Sequence, residues 1–147
     1  MTIRDAVPDD LEEIAALIHE LAVYEKAPEE AVFTLDGLAA NVFGPNAVAE
    51  VLIAEADDGA VAGMALYFRT YSTWLGTSGI WLEDLFVRPQ FRGAGHGRRL
   101  LDAVRARTYG RVEWVVLDWN ESAIGVYRAM GAEPVDGWTR FRWLPDA

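Results

Sequence analysis

Cysteine is absent from the 147 residues, which excludes a disulfide framework, a thiolate metal site and a cysteine nucleophile. Histidine is nearly absent too: His19 and His96 alone leave little for zinc or for a histidine-activated serine, so no metal site is expected. The single lysine, Lys26, removes the lysine that a mononucleotide P-loop needs. No apolar run approaches the roughly 18 residues of a membrane span, and the first residues, with Arg4, Asp5, Asp9 and Asp10, hold no apolar stretch of signal length. Repeats, low-complexity segments and linkers are also missing. The expectation is a soluble cytoplasmic protein without a membrane partner, one domain over residues 1–147, long enough to bury a core.

Positive charge is scarce overall but concentrated. The net charge of −10 disfavours a nucleic-acid binder, which gains affinity from surplus lysine and arginine. Seven arginines and one acid lie between Arg88 and Arg111, making that stretch +6 and the remainder −16. Charge alone is read equally well as one anionic ligand at this stretch or as a helix with a solvated basic face.

The elements follow from periodicity and punctuation. Thr2 to Arg4 begin a strand; Pro8, with Asp9, Asp10, Glu12 and Glu13, starts a helix whose apolar face is Leu11, Ile14, Leu17, Ile18 and Leu21. Thr34 caps a second helix that Gly44-Pro45-Asn46 closes. Val48 to Ala56 and Ala60 to Phe68 read as strands joined by Asp57-Asp58-Gly59, followed by a longer loop from Arg69 to Gly79. A central strand through Leu82, Leu85, Phe86 and Val87 leads into a helix with Leu100, Leu101 and Val104. Val112 to Leu117 is a further strand, Ile124 to Met130 lie on a helix ending at Gly131, and Gly137 to Leu144 reads as a last strand. The order predicts a mixed α/β fold with a hairpin-rich first half.

Between the central strand and its helix stands Arg92-Gly93-Ala94-Gly95-His96-Gly97-Arg98. A helix start offers unpaired N–H groups and a partial positive charge, and residues without Cβ let an anion come close, so a pyrophosphate is expected there. Arg92, Arg98 and Arg99 add full charges. A dinucleotide fingerprint fails because Arg98 stands where its third glycine belongs, and a kinase-type loop would join two strands.

This loop, with Leu85-Phe86-Val87 before it, resembles the acetyl-CoA loop of the GNAT superfamily of N-acetyltransferases. Asn120-Glu121-Ser122-Ala123, Tyr127 and Met130-Gly131-Ala132 are similar to that superfamily's second cofactor-contacting helix. Tyr24-Glu25, Phe68-Arg69-Thr70-Tyr71, Trp74-Leu75-Gly76, Leu82 to Val87 and Gly137-Trp138 resemble the diamine (spermidine/spermine) acetyltransferase group. The resemblance implies a mostly antiparallel central sheet flanked by helices, with acetyl-CoA as acyl donor. Leu85, Phe86 and Val87 would border its pantetheine arm, the amides of Gly93, Ala94, Gly95, His96, Gly97 and Arg98 would hold its pyrophosphate, and Asn120, Ser122 and Tyr127 would lie along it. Ser72 departs from the group, which has an aspartate there, as do Ala123 and Gly125, which replace polar residues.

The chemistry demands a base, because well under about 1% of an alkyl amine with a pKa near 10.4 is nucleophilic at pH 7. Glu83 matches the group's glutamate, acting directly or through water. Tyr127 matches its proposed proton donor to the departing thiolate; that transfer runs uphill by about 2 kcal/mol from reference values, so a hydrogen bond to the thiolate is the alternative. Glu25, Glu83, Asp84 and Asp136 are the carboxylates for a cationic amine, with Tyr24, Trp74 and Trp138 as aromatic walls. In a regular strand Asp84 faces away from Glu83, unless a bulge intervenes. The expected activity is acetylation of a small amine (polyamine, diamine or thialysine-like) in a ternary complex, by a homodimer. The alternatives are a non-catalytic acyl-CoA-binding regulatory module and an acetyltransferase for a protein amine.

Overall fold

Strand β1 (Thr2–Asp5) pairs antiparallel with β2 (Glu50–Glu55), β2 with β3 (Val61–Ser72), and β3 with β4 (Thr77–Val87), while β5 (Val112–Glu113) joins β4 in parallel. This five-stranded, mostly antiparallel sheet is the frame of a computed structural model that describes residues 1–146. Two compact units are present, Met1–Val115 and Val116–Ala147.

In the first unit, helices α1 (Leu11–Tyr24) and α2 (Leu35–Phe43) follow β1, and α3 (His96–Arg105) follows β4. Alternation along the strands sorts their side chains into two layers. Ile14, Leu17 and Leu21 of α1 pack with Val51, Ile53, Met64, Leu66 and Phe86, and Leu38 and Val42 of α2 close over them. The intervening residues Leu52, Ala54, Ala65 and Tyr67 are buried along with Leu100, Leu101 and Val104 of α3. Arg107, just past α3, donates to the Tyr67 hydroxyl at 3.4 Å, which ties the helix end to that layer.

The caps are those the sequence predicts. The Thr34 hydroxyl accepts from Gly37 N–H at 3.0 Å, and Gly59, at φ 86°, completes the β2–β3 turn. Asp10 does more than favour a helix start: it is buried, accepts from Val7 N–H at 2.8 Å, and takes two bonds from the Arg4 guanidinium at 2.7 and 2.9 Å. Those bonds hold its carboxyl below the usual carboxylate range.

Three expectations are corrected. The segment from Arg69 to Gly79 is mostly strand: β3 reaches Ser72, β4 starts at Thr77, and only a four-residue turn, 73–76, remains. A long paired hairpin satisfies the backbone groups that a loop would leave to water. The strand expected through Leu117 stops at Glu113, where pairing with Trp81 ends. Among the described residues no strand forms from Gly137 to Leu144, where Trp138, Phe141 and Trp143 are exposed. Apolar alternation gives a segment two faces but not the hydrogen-bonded neighbour that a strand needs.

The second unit contains α4 (Glu121–Ala129), capped by the Asn120 side chain, which accepts from Ala123 N–H at 3.3 Å. Gly131, at φ 91°, ends it.

Candidate active site

Strand β4 makes the site possible through one extra residue. Leu66 of β3 pairs with Asp84 and the next residue, Tyr67, pairs with Leu82, so Glu83 is the unmatched residue of a β-bulge. A bulge breaks the strict alternation of faces, which is the condition for adjacent carboxylates to serve one pocket. Asp84 is partly buried, and burial, followed by repulsion from Glu83 and Glu25, pushes its carboxyl up to about 7. Glu25, in the turn that ends α1, is also raised, by burial. Three of the four expected carboxylates therefore form one electrostatic cluster.

The turn carrying Glu25 is tightly defined. Lys26 has φ 64°, the only positive value outside glycine among the described residues, and Ala27 N–H reaches back to the Ala22 carbonyl at 2.9 Å. Tyr24, immediately before it, stands 6.4 Å from the Phe86 ring.

Beside the bulge β4 loses a neighbour. It pairs with β3 through Val87, but β5 accompanies it only at Ile80 and Trp81, so from Leu82 onward no strand of the described residues covers its other edge. Leu85 and Val87 lie on this stretch, while the Phe86 side chain is buried in the core and leaves only backbone for a ligand. Val87 O already accepts from Arg92 Nε at 2.9 Å, and a carbonyl has a second lone pair to offer.

After the strand, Gly93 and Gly95 adopt φ 86° and 90°, and the space a Cβ would take at either is open. This is a backbone cradle in front of the first turn of α3, the kind of concavity that suits a phosphate. The His96 side chain is buried edge-on to Phe91, with Nδ1 lacking a hydrogen bond, which leaves its backbone for the cradle. The arginine surplus is smaller than the sequence implies. Arg88 is bound by Glu13 and Glu20 of α1, Arg107 by Asp5 and Arg111 by Glu113. Arg92, though exposed, lies over the Tyr24 and Phe86 rings. Arg98, in the first turn of α3, is exposed.

An unpaired strand edge leading into a glycine cradle at a helix start is what an extended, phosphate-ended ligand requires, and the sequence agrees on the family: residues 10–132 match the Acetyltransferase (GNAT) family. The chain belongs to the GNAT acetyltransferase family. It is an acetyl-CoA-dependent N-acetyltransferase for a small amine. The thialysine N-epsilon-acetyltransferase of Bos taurus is 36% identical over 159 residues, covering 99% of this chain and 93% of that one. The spermidine/spermine N(1)-acetyltransferase-like protein 1 of Homo sapiens is 32% identical over 154 residues, covering 96% of this acetyltransferase and 22% of that protein. A crystal structure of a probable acetyltransferase shares the fold, with a TM-score of 0.80 at 19% identity over 100% of this chain and 99% of that one.

The remaining expected residues of this acetyltransferase stand elsewhere. Trp74 is 90% exposed at the tip of the β3–β4 hairpin. The six residue steps from Thr77 to Glu83 set the tip about 20 Å away along the strand. Within the chain, Trp74 and the carboxylate cluster are not brought together. In the second unit, Tyr127 lies on α4, Ser122 in its first turn, and Asn120 uses its side-chain oxygen on the cap. Asp136 and Trp138 lie in irregular chain beyond α4 and are exposed. The contact of Arg92 with the Tyr24 and Phe86 rings has no spacing signal in the sequence. The bulge did have a signal, two adjacent acids inside an apolar strand.

Proposed function

We propose that this acetyltransferase moves an acetyl group from acetyl-CoA to a primary amine of a small cationic substrate, a diamine, polyamine or thialysine-like amine, by direct attack in a ternary complex. The cluster of Glu25, Glu83 and Asp84 at the β4 bulge carries this reading: carboxylates held close enough to repel one another are relieved by a bound cation. The name of the Bos taurus relative, a thialysine acetyltransferase, supports the same substrate class.

In this reading residues 1–147 act as a single domain. Asp84 and Glu25 hold the ammonium group, with Tyr24 alongside. Glu83 accepts the proton that the amine must lose, directly or through one water. The donor supplies an activated acetyl group and a thiolate leaving group. The open edge of β4 at Leu85 and Val87 hydrogen-bonds its extended arm as an added strand would, and the backbone from Gly93 to Arg98 receives its phosphates. Tyr127 hydrogen-bonds or protonates the thiolate, and Asn120 and Ser122 border the arm. The reading includes a cytoplasmic homodimer, supported by the resemblance to the diamine group; light scattering at a monomer mass would count against the dimer.

Glu83→Gln tests the base. The expected result is a loss of kcat by about 10²–10⁴-fold, with acetyl-CoA binding retained in calorimetry. Full turnover by the variant removes Glu83 from the role.

A further inference from the structure

The exposed Arg92 side chain joins three segments of the first unit at one point. Its Nε donates to Val87 O at the end of β4, at 2.9 Å. The guanidinium carbon stands 5.0 Å from the Tyr24 ring centroid and 5.5 Å from that of Phe86. Those rings lie 6.4 Å apart and are tilted by 53°, so the cation occupies the angle between them. Arg92 itself immediately precedes Gly93 and the cradle.

Tyr24 is the last residue of α1, and Glu25 follows it directly. The backbone bonds of Glu25 N–H to Leu21 O, Lys26 N–H to Val23 O and Ala27 N–H to Ala22 O, from 2.9 to 3.0 Å, lock the turn. Tyr24 and Glu25 therefore move together. We propose that Arg92 is a positioning residue: by bridging the glycine cradle to Tyr24 it sets where the Glu25 carboxylate stands relative to the donor, rather than binding the donor's phosphates. This rests on the function proposed above. A planar guanidinium can present Nε to a carbonyl and its faces to two rings at once, which a lysine ammonium cannot. The consequence falls on the amine, because small displacements of a positioned reactant cost rate steeply.

The test compares acetyl-CoA binding by calorimetry with steady-state kinetics on a diamine, for wild type, Arg92→Gln, Arg92→Lys, Tyr24→Leu and Tyr24→Phe. The bridge predicts that Arg92→Gln, Arg92→Lys and Tyr24→Leu raise the amine KM at least fivefold while the acetyl-CoA Kd moves less than twofold. Tyr24→Phe, which keeps the ring, raises the amine KM less than Tyr24→Leu does. Combining Arg92→Gln with Tyr24→Leu adds no more than a further twofold, as expected for two ends of one contact. If Arg92→Gln does not fold, the two Tyr24 variants decide. A weakened acetyl-CoA Kd with an unchanged amine KM would make Arg92 a phosphate ligand and overturn the bridge, as would additive losses in the double variant. Wild-type protein without amine turnover overturns the proposed function itself, whereas turnover with an unaffected Arg92→Gln overturns the bridge alone.

Discussion

Asp84 sits where folding and function pull in opposite directions. Burial and two neighbouring acids raise its carboxyl from 3.8 to about 7, so between those values the folded protein holds a proton that the unfolded chain has released. Its stabilising contribution is complete below the ordinary carboxylate range and disappears as pH rises through about 7. Asp84→Asn has no proton to lose. Chemical denaturation is expected to show wild type losing stability as pH rises from the ordinary carboxylate range to about 7 and the variant losing less. At pH 8 the variant should be the more stable by about 1–3 kcal/mol, a figure reduced from the full shift to allow for solvent screening. A variant less stable than wild type at pH 8 would contradict the burial argument. A carboxylate kept at such a cost is the pattern of a residue retained for binding.

The bulge and the cradle are the elements that turn this chain into a site. In a regular β4, Glu83 and Asp84 would face opposite sides of the sheet; one unmatched residue breaks that alternation. The cradle depends on backbone conformation more than on charge. Gly95 has φ 90° with open space at the Cβ position, whereas a Cβ at Gly97 would make an ordinary 3.7 Å contact with Val87. Alanine at position 95 carries about 1–2 kcal/mol of left-handed strain and projects into the cradle. Its acetyl-CoA Kd is expected to rise at least tenfold in calorimetry, while Gly97→Ala stays within about threefold. Equal effects at the two positions would show that backbone geometry is not what the loop contributes.

At the scale of the molecule, the parts legible in the sequence are those with local signatures. Thr34, Gly59 and Gly131 mark their caps and turns, apolar periodicity gives α1 and α3, and Arg92 to Arg98 mark the loop. Pairing partners were less legible: the extent of the β3–β4 hairpin, the short β5 and the unformed strand at Gly137 to Leu144 depend on which segments meet, and residue types within a segment do not encode that. The same limit applies to charge, since Arg88, Arg107 and Arg111 look available until Glu13, Glu20, Asp5 and Glu113 are seen beside them. The carboxylates of the candidate site were legible as individual residues. Their cluster, with Glu25 from the end of α1 meeting Asp84 of β4, needed the fold. The most direct measurement is thiol release from acetyl-CoA with a panel of diamines, polyamines and lysine analogues, for wild type and Asp84→Asn, from pH 6 to 9. Wild type should acetylate at least one cationic amine with a KM that falls as pH rises through about 7, and Asp84→Asn should raise that KM about tenfold or more and lose the pH dependence. No thiol release with any amine, or identical profiles for the two proteins, would contradict the account.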